Sequence, residues 1–120
     1  MKFCWVTINV KDMEESLFFY QEIIGLKISR RFKPDQDREI VFLGNEETKV
    51  ELIYNSKKQN ISFGEDISLG FEVNSIEEIT KKLENNNIKI YAGPFQPNPS
   101  LRFIFVLDPN GLKIQFVENR

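Results

Sequence analysis

Apolar and polar residues alternate over residues 3–10, and the same two-residue beat returns over 67–73. That period marks a strand with one buried face. Each stretch runs into a short polar residue and an acidic turn: Asp12 with Glu15, and Ser75 with Glu78. An acceptor side chain three residues ahead of a glutamate is a helix-starting capping box. The spacing then becomes helical. Met13, Leu17, Tyr20 and Ile24 recur in the first helix, which Gly25 ends; Ile76, Ile79 and Leu83 recur in the second, which Asn85-Asn86-Asn87 stops. Three strands are predicted after each helix, near 26–32, 38–44 and 49–54, and near 88–92, 101–107 and 112–118. Asp108-Pro109-Asn110-Gly111 reads as a four-residue turn. Residues 93–100, with Pro94, Pro97 and Pro99, read as a loop too Pro-rich for a central strand.

The pattern repeats. Residues 6–15 align with 69–78, Lys27-Ile28 with Lys89-Ile90, Val41-Phe42-Leu43 with Phe105-Val106-Leu107, and 49–53 with 113–117. Chance gives one such match more readily than all of them in the same order. The expected organisation is a single domain of two βαβββ modules, about 1–55 and about 67–120, joined by a polar linker of about 56–66.

Strand parity sorts the side chains into faces, because cross-strand partners share one. A four-residue turn places Leu107 opposite Leu112, Phe105 opposite Ile114 and Phe103 opposite Phe116, all toward the helices; Arg102, Ile104, Val106, Lys113, Gln115 and Val117 then face away. In the first module Val41, Val50 and Leu52 face the helix, while Arg38, Ile40, Phe42, Lys49, Glu51 and Ile53 face away. On the leading strands Cys4, Val6, Ile8 and Val10 pack inward, opposite Trp5, Thr7 and Asn9; Leu69, Phe71 and Val73 pack inward, opposite Ser68, Gly70 and Glu72. The outward faces therefore mix apolar groups with carboxylate, amide, hydroxyl and guanidinium. A binding cleft has that character, and so does a solvated sheet face. Trp5, Phe42, Ile53 and Ile104 favour the cleft.

At 120 residues the chain is long enough for one self-sufficient core. A net charge of −2 exerts no pull on nucleic acid or anionic membrane. With one cysteine no intramolecular disulfide forms, and Cys4 on a packed face is expected to be an inert small hydrophobe. Thr7 and Asn9 interrupt any signal-peptide core, and no apolar run approaches the ~20 residues of a membrane span. A cytoplasmic protein is expected. The chain has no histidine, which excludes every histidine-dependent mechanism and removes the commonest metal ligand.

Val10-Lys11-Asp12-Met13-Glu14-Glu15-Ser16-Leu17-Phe18-Phe19-Tyr20 leading to Ile24-Gly25-Leu26, and Asp108-Pro109-Asn110-Gly111-Leu112-Lys113-Ile114-Gln115-Phe116 followed by Glu118, resemble the vicinal-oxygen-chelate superfamily. Its members include glyoxalase I, extradiol dioxygenases and the fosfomycin- and bleomycin-resistance proteins. The resemblance spans nearly the whole chain. It implies an α+β fold in which two βαβββ modules, related by pseudo-twofold symmetry, curve mixed sheets around a small-molecule cleft, formed within one chain or across a homodimer. Carried over position by position, the metal-ligand places of the family fall on Trp5, Glu51, Ser68 and Gln115. Glu51 matches the glyoxalase pattern; Gln115 is a neutral oxygen donor, Ser68 a poor ligand and Trp5 none. The resemblance thus implies a cleft working without the usual divalent metal, with Glu51 and Gln115 the donors if one binds. Val50-Glu51-Leu52-Ile53-Tyr54-Asn55 also looks like the glyoxalase I segment that joins a metal ligand to a glutathione contact. There Ser56-Lys57 replaces the usual Trp-Gly, and Asn9 stands where an arginine would hold a glutathione carboxylate.

Two functions follow from that resemblance. One is a binder of a small organic molecule, with Trp5, Thr7, Arg38, Phe42, Glu51, Ser68, Arg102, Ile104 and Gln115 lining the site. The other is a lactoylglutathione lyase-type lyase or isomerase, with Glu51 as base. For Glu51 a base and an ion-pair partner are both open. Arg38 and Arg102, at equivalent places in the two hairpins, read as grips for an anion or, the somewhat favoured alternative, as surface charges. Trp5 reads as a stacking platform or as filler for the missing ligand.

Overall fold

The computed structural model describes residues 1–120 except 47 and 59; Glu47, before the fourth predicted strand, and Gln59, inside the expected linker, lie outside the described residues. The chain divides into two compact units, Met1–Ser62 and Phe63–Arg120.

In the first unit β1 (Trp5–Val10) is followed by α1 (Met13–Leu17), which continues as a π-helix over Phe18–Ile23, then by β2 (Ile28–Phe32), β3 (Arg38–Leu43) and β4 (Lys49–Asn55). The second unit repeats the order with β5 (Ser68–Glu72), α2 (Ile76–Asn85), β6 (Ala92–Asn98), β7 (Leu101–Leu107) and β8 (Lys113–Asn119). The sheets have the same plan, β1-β4-β3-β2 and β5-β8-β7-β6, in which the first strand lies parallel to the last and the others pair antiparallel. Each unit is thus a βαβββ module, and the α+β architecture is the expected one. Among the described residues no helix is long and apolar enough to cross a membrane.

Both caps form as the sequence predicts. Asp12 Oδ1 accepts from the Glu15 N–H at 3.0 Å and Ser75 Oγ from the Glu78 N–H at 3.1 Å, each filling one of the helix's unpaired N-terminal donors. The first helix departs from the expected stripe. Its second half widens to i→i+5 bonding, with the Ile24 N–H reaching the Phe19 carbonyl. Ile23 is therefore buried where Ile24 was expected, beside Met13, Leu17, Phe19 and Tyr20. Below this helix the first sheet buries Ile8, Val10, Val41, Leu43, Val50 and Leu52.

Three expectations are corrected. Residues 88–90 are not a strand: the Ile88 N–H donates to the Leu83 carbonyl and closes α2. The strand is instead the Pro-containing segment Ala92–Asn98, because it lies at the sheet edge, where a missing N–H is tolerated, and pairs with β7 in an irregular register. Cys4 lies before β1 and is exposed rather than packed.

The third correction changes a face. Leu107 pairs with Lys113, not Leu112, so the connection has five residues. The buried Asp108 carboxylate accepts from the backbone N–H groups of Asn110 (2.8 Å) and Leu112 (2.9 Å), which draws Leu112 into the loop. A one-residue change in register exchanges the two faces of a strand. Ile104, fully buried, and Val106 therefore lie on the helix side opposite Phe116 and Ile114, while Phe103, Phe105 and Leu107 move to the outer face. Arg102 also turns to the helix side and donates to Glu77 of α2 at 2.6 Å.

Candidate functional site

The outer face of the first sheet brings Trp5, Thr7 and Asn9 of β1 beside Lys49, Glu51 and Ile53 of β4, with Phe42, Ile40 and Arg38 of β3 beyond. Trp5 is 49% exposed and meets Phe42 edge to face, the ring centroids 5.2 Å apart. These rings, with Lys2, Cys4, Ser29, Arg30 and Lys49, line a cavity of about 460 Å³, within the range of ligand pockets. Arg30 reaches it from β2, its guanidinium 4.4 Å from the Phe32 ring centroid. One step along, Thr7 donates its hydroxyl hydrogen to Glu51.

Arg38 does not join this group. Its Nε donates to Asp35 at 3.0 Å, and it lines a separate cavity of about 340 Å³ with Lys11, Asp37, Glu39 and Tyr54. That cavity is a ring of mixed charges rather than an anion grip.

In the second unit Ser68, Gly70 and Glu72 of β5 stand beside Lys113, Gln115 and Val117 of β8, with Phe103, Phe105 and Leu107 of β7 next to them. Phe95 of the edge strand completes an aromatic cluster, 5.4 Å from Phe103 and 6.3 Å from Phe105. Phe95, Gln96, Pro97, Phe103 and Phe105 line a cavity of about 550 Å³. Lys113 Nζ donates to the Glu65 carbonyl at 2.8 Å and sits 5.8 Å from the Tyr91 ring centroid and 5.9 Å from that of Phe105. Of the residues expected on this face, Ser68 and Gln115 are present; Arg102 and Ile104 are on the helix side, for the register reason given above.

The registers align the two faces residue by residue. Glu51 pairs with Thr7 and Phe42, and Gln115 with Gly70 and Phe105. Phe105 is therefore the counterpart of Phe42, one place earlier in β7 than sequence alignment suggests. Where Thr7 binds Glu51, Gly70 leaves room: a Cβ there would stand 3.4 Å from Gln115 Oε1. Lys49 and Lys113 are counterparts too. Sequence reasoning missed Phe95, Phe103, Phe105 and Arg30. Asp108, an acceptor able to fold Leu112 into the loop, was the available signal for the two β7 rings.

The ligand-position residues do not fit a divalent transition metal. In the first unit Trp5 offers no lone pair and Glu51 is already hydrogen-bonded by Thr7; in the second Ser68 and Gln115 offer a hydroxyl and an amide. Such metals favour imidazole, thiolate and carboxylate donors. Among the described residues no group of three or more His, Cys, Asp or Glu side chains is placed to hold a metal.

The strongest charge effects lie away from both faces. Arg102 holds the Glu77 carboxyl down from its usual 4.5 to about 2. Arg120, and behind it the Ile76 N–H, hold Glu118 below the usual carboxylate range. Glu14 and Glu39 clamp Arg31 at 2.7 and 2.9 Å. These groups fasten helix to sheet and sheet to terminus.

Comparison with known proteins agrees with this plan. The lactoylglutathione lyase of Haemophilus influenzae is 28% identical over 130 residues, covering 100% of this chain and 94% of its own. The trypanothione-dependent glyoxalase I of Leishmania major superposes with a TM-score of 0.83 at 23% identity, over 98% of this chain and 86% of that one. An antibiotic binding protein from Streptomyces sp. CB03234 superposes at 0.74 with 17% identity, over 97% and 93%. The family model for the Glyoxalase/Bleomycin resistance protein/Dioxygenase superfamily matches residues 2–116, and the chain, a duplicated βαβββ module with its polar and aromatic groups on the faces opposite the helices, belongs to that superfamily.

Proposed function

We propose that the protein binds a small organic molecule on its outer sheet faces without a divalent metal. The observation that carries this reading is the exchange of donors for surfaces. An exposed indole stands where the first metal ligand would be, and it lines an open cavity with Phe42. An exposed indole packed on a half-buried phenyl ring beside a cavity is unfavourable in water and favourable under a ligand. The antibiotic binding protein from Streptomyces shows that a chain of this fold carries a binding role. We place Trp5, Phe42 and Lys49 in the contact set, with Thr7 and Glu51 beside them, and Ser68, Gln115, Phe103 and Phe105 on the second unit's face.

A lyase or isomerase reading is favoured by the lactoylglutathione lyases among the relatives. Against it stand the donor set just described and Asn9 at the position of the expected arginine. A thermal-shift screen of small molecules, run in chelator and in added Zn²⁺ or Ni²⁺, separates the two. The binding reading expects ligands that raise the melting temperature equally in both conditions. Metal-dependent turnover of a hemithioacetal of glutathione would replace it with the lyase. The assembly we propose is a homodimer, to be checked by light scattering.

A further inference from the structure

We infer that the molecule taken by the first unit is a flat aromatic anion, of which an aryl carboxylate is the simplest form. This rests on the binding reading above and adds the ligand's class. The cavity offers two kinds of group. Trp5 and Phe42 meet at an interplanar angle of 74°, so one ring presents a face where the other presents an edge. A planar ring laid in that corner gains stacking on one wall and an edge contact on the other. Around the rings stand Lys2, Arg30 and Lys49, and among the described residues no carboxylate lines the cavity. Glu51, two positions after Lys49, is held by Thr7 and does not line the cavity.

Among the described residues, none of the three cations makes an ion pair, whereas Arg31, Arg38, Arg102 and Arg120 each pair with a carboxylate. Arg30 lies over the Phe32 ring, which orients its guanidinium while leaving its N–H donors for a planar, bidentate partner. A cationic ligand would meet three positive charges. A neutral aromatic would fill the corner and leave the charges unanswered. At about 460 Å³ the cavity accommodates a two-ring compound.

The chain carries its own reporter, because Cys4 lines this cavity and is its one cysteine. The test measures the rate of Cys4 alkylation by iodoacetamide, with parallel calorimetry, in the presence of 2-naphthoate, neutral 2-naphthamide and cationic 2-naphthylmethylamine. The expected result is that 2-naphthoate slows alkylation and binds roughly tenfold more tightly than the amide, with the amine weakest. Arg30→Gln with Lys49→Gln, neither of which makes an ion pair among the described residues, should erase the preference and keep the circular dichroism spectrum. Lys81→Gln, on the exposed side of α2, should change nothing. Equal protection by amide or amine would overturn the anionic class and leave the binding reading standing. Protection that rises with protein concentration in the absence of ligand would place a second copy on this face and overturn the inference. Failure of all three compounds to protect Cys4, with another molecule binding elsewhere, would overturn it for this site; failure of any molecule to bind would remove both readings.

Discussion

Ile104 and Leu107 sit three positions apart on β7 and have opposite surroundings, the first fully buried under α2 and the second 39% exposed on the outer face. Ile104→Ala should cost about 2–5 kcal/mol, the loss for emptying a packed site, whereas Leu107→Ala should cost about 0.5 kcal/mol, as surface changes do. Urea denaturation of the two variants reads this directly. Equal costs would mean that the five-residue connection is wrong. The sequence could not choose between the registers, because both faces of β7 are apolar: Phe103, Phe105 and Leu107 on one, Ile104 and Val106 on the other. In β1 and β4 one face is polar, and the expected sides of Trp5, Thr7, Glu51 and Ile53 are those observed. Parity was informative where alternation was clean.

At the scale of elements, the two caps and the repeat were legible because each rests on local chemistry: an acceptor side chain, an acidic turn, a helical stripe. Asp12→Ala and Ser75→Ala should each destabilise the protein by about 1 kcal/mol in the same denaturation assay. What local chemistry could not show was context. The edge position of β6 tolerates Pro94 and Pro97, and the wider bonding of the first helix moves its buried face to Ile23. The ends of α2 and β8 are joined by charge, with Glu118 accepting from the Ile76 N–H at 2.8 Å and from Arg120, and Glu77 accepting from Arg102. Both carboxyls titrate lower in the folded chain than in the unfolded one. The stability they contribute is present above the usual carboxylate range and is lost as pH falls through the folded values. For Glu77 the window runs from 4.5 down to about 2. Melting temperatures measured from pH 6 to pH 2 should fall through that window, and Glu77→Gln should flatten part of the fall. A melting temperature that rises on acidification would contradict the assignment.

At the scale of the whole molecule, duplication gives each unit the same scaffold and different outer faces. Thr7 with Glu51 corresponds to Gly70 with Gln115 in the alignment of the units, and Phe42 to Phe105. The first face carries cations around a pair of rings; the second carries a larger aromatic cluster with one lysine already bound to a carbonyl. The scaffold of the Glyoxalase/Bleomycin resistance protein/Dioxygenase superfamily is thus present, with a tryptophan, a serine and a glutamine among the residues at the expected ligand positions. The most direct measurement is the dissociation constant of a screened ligand, determined by calorimetry on exhaustively chelated protein and again under saturating Zn²⁺. Recognition by rings and side-chain charge predicts the same value within roughly threefold. Binding that vanishes in chelator and returns with stoichiometric metal would contradict it.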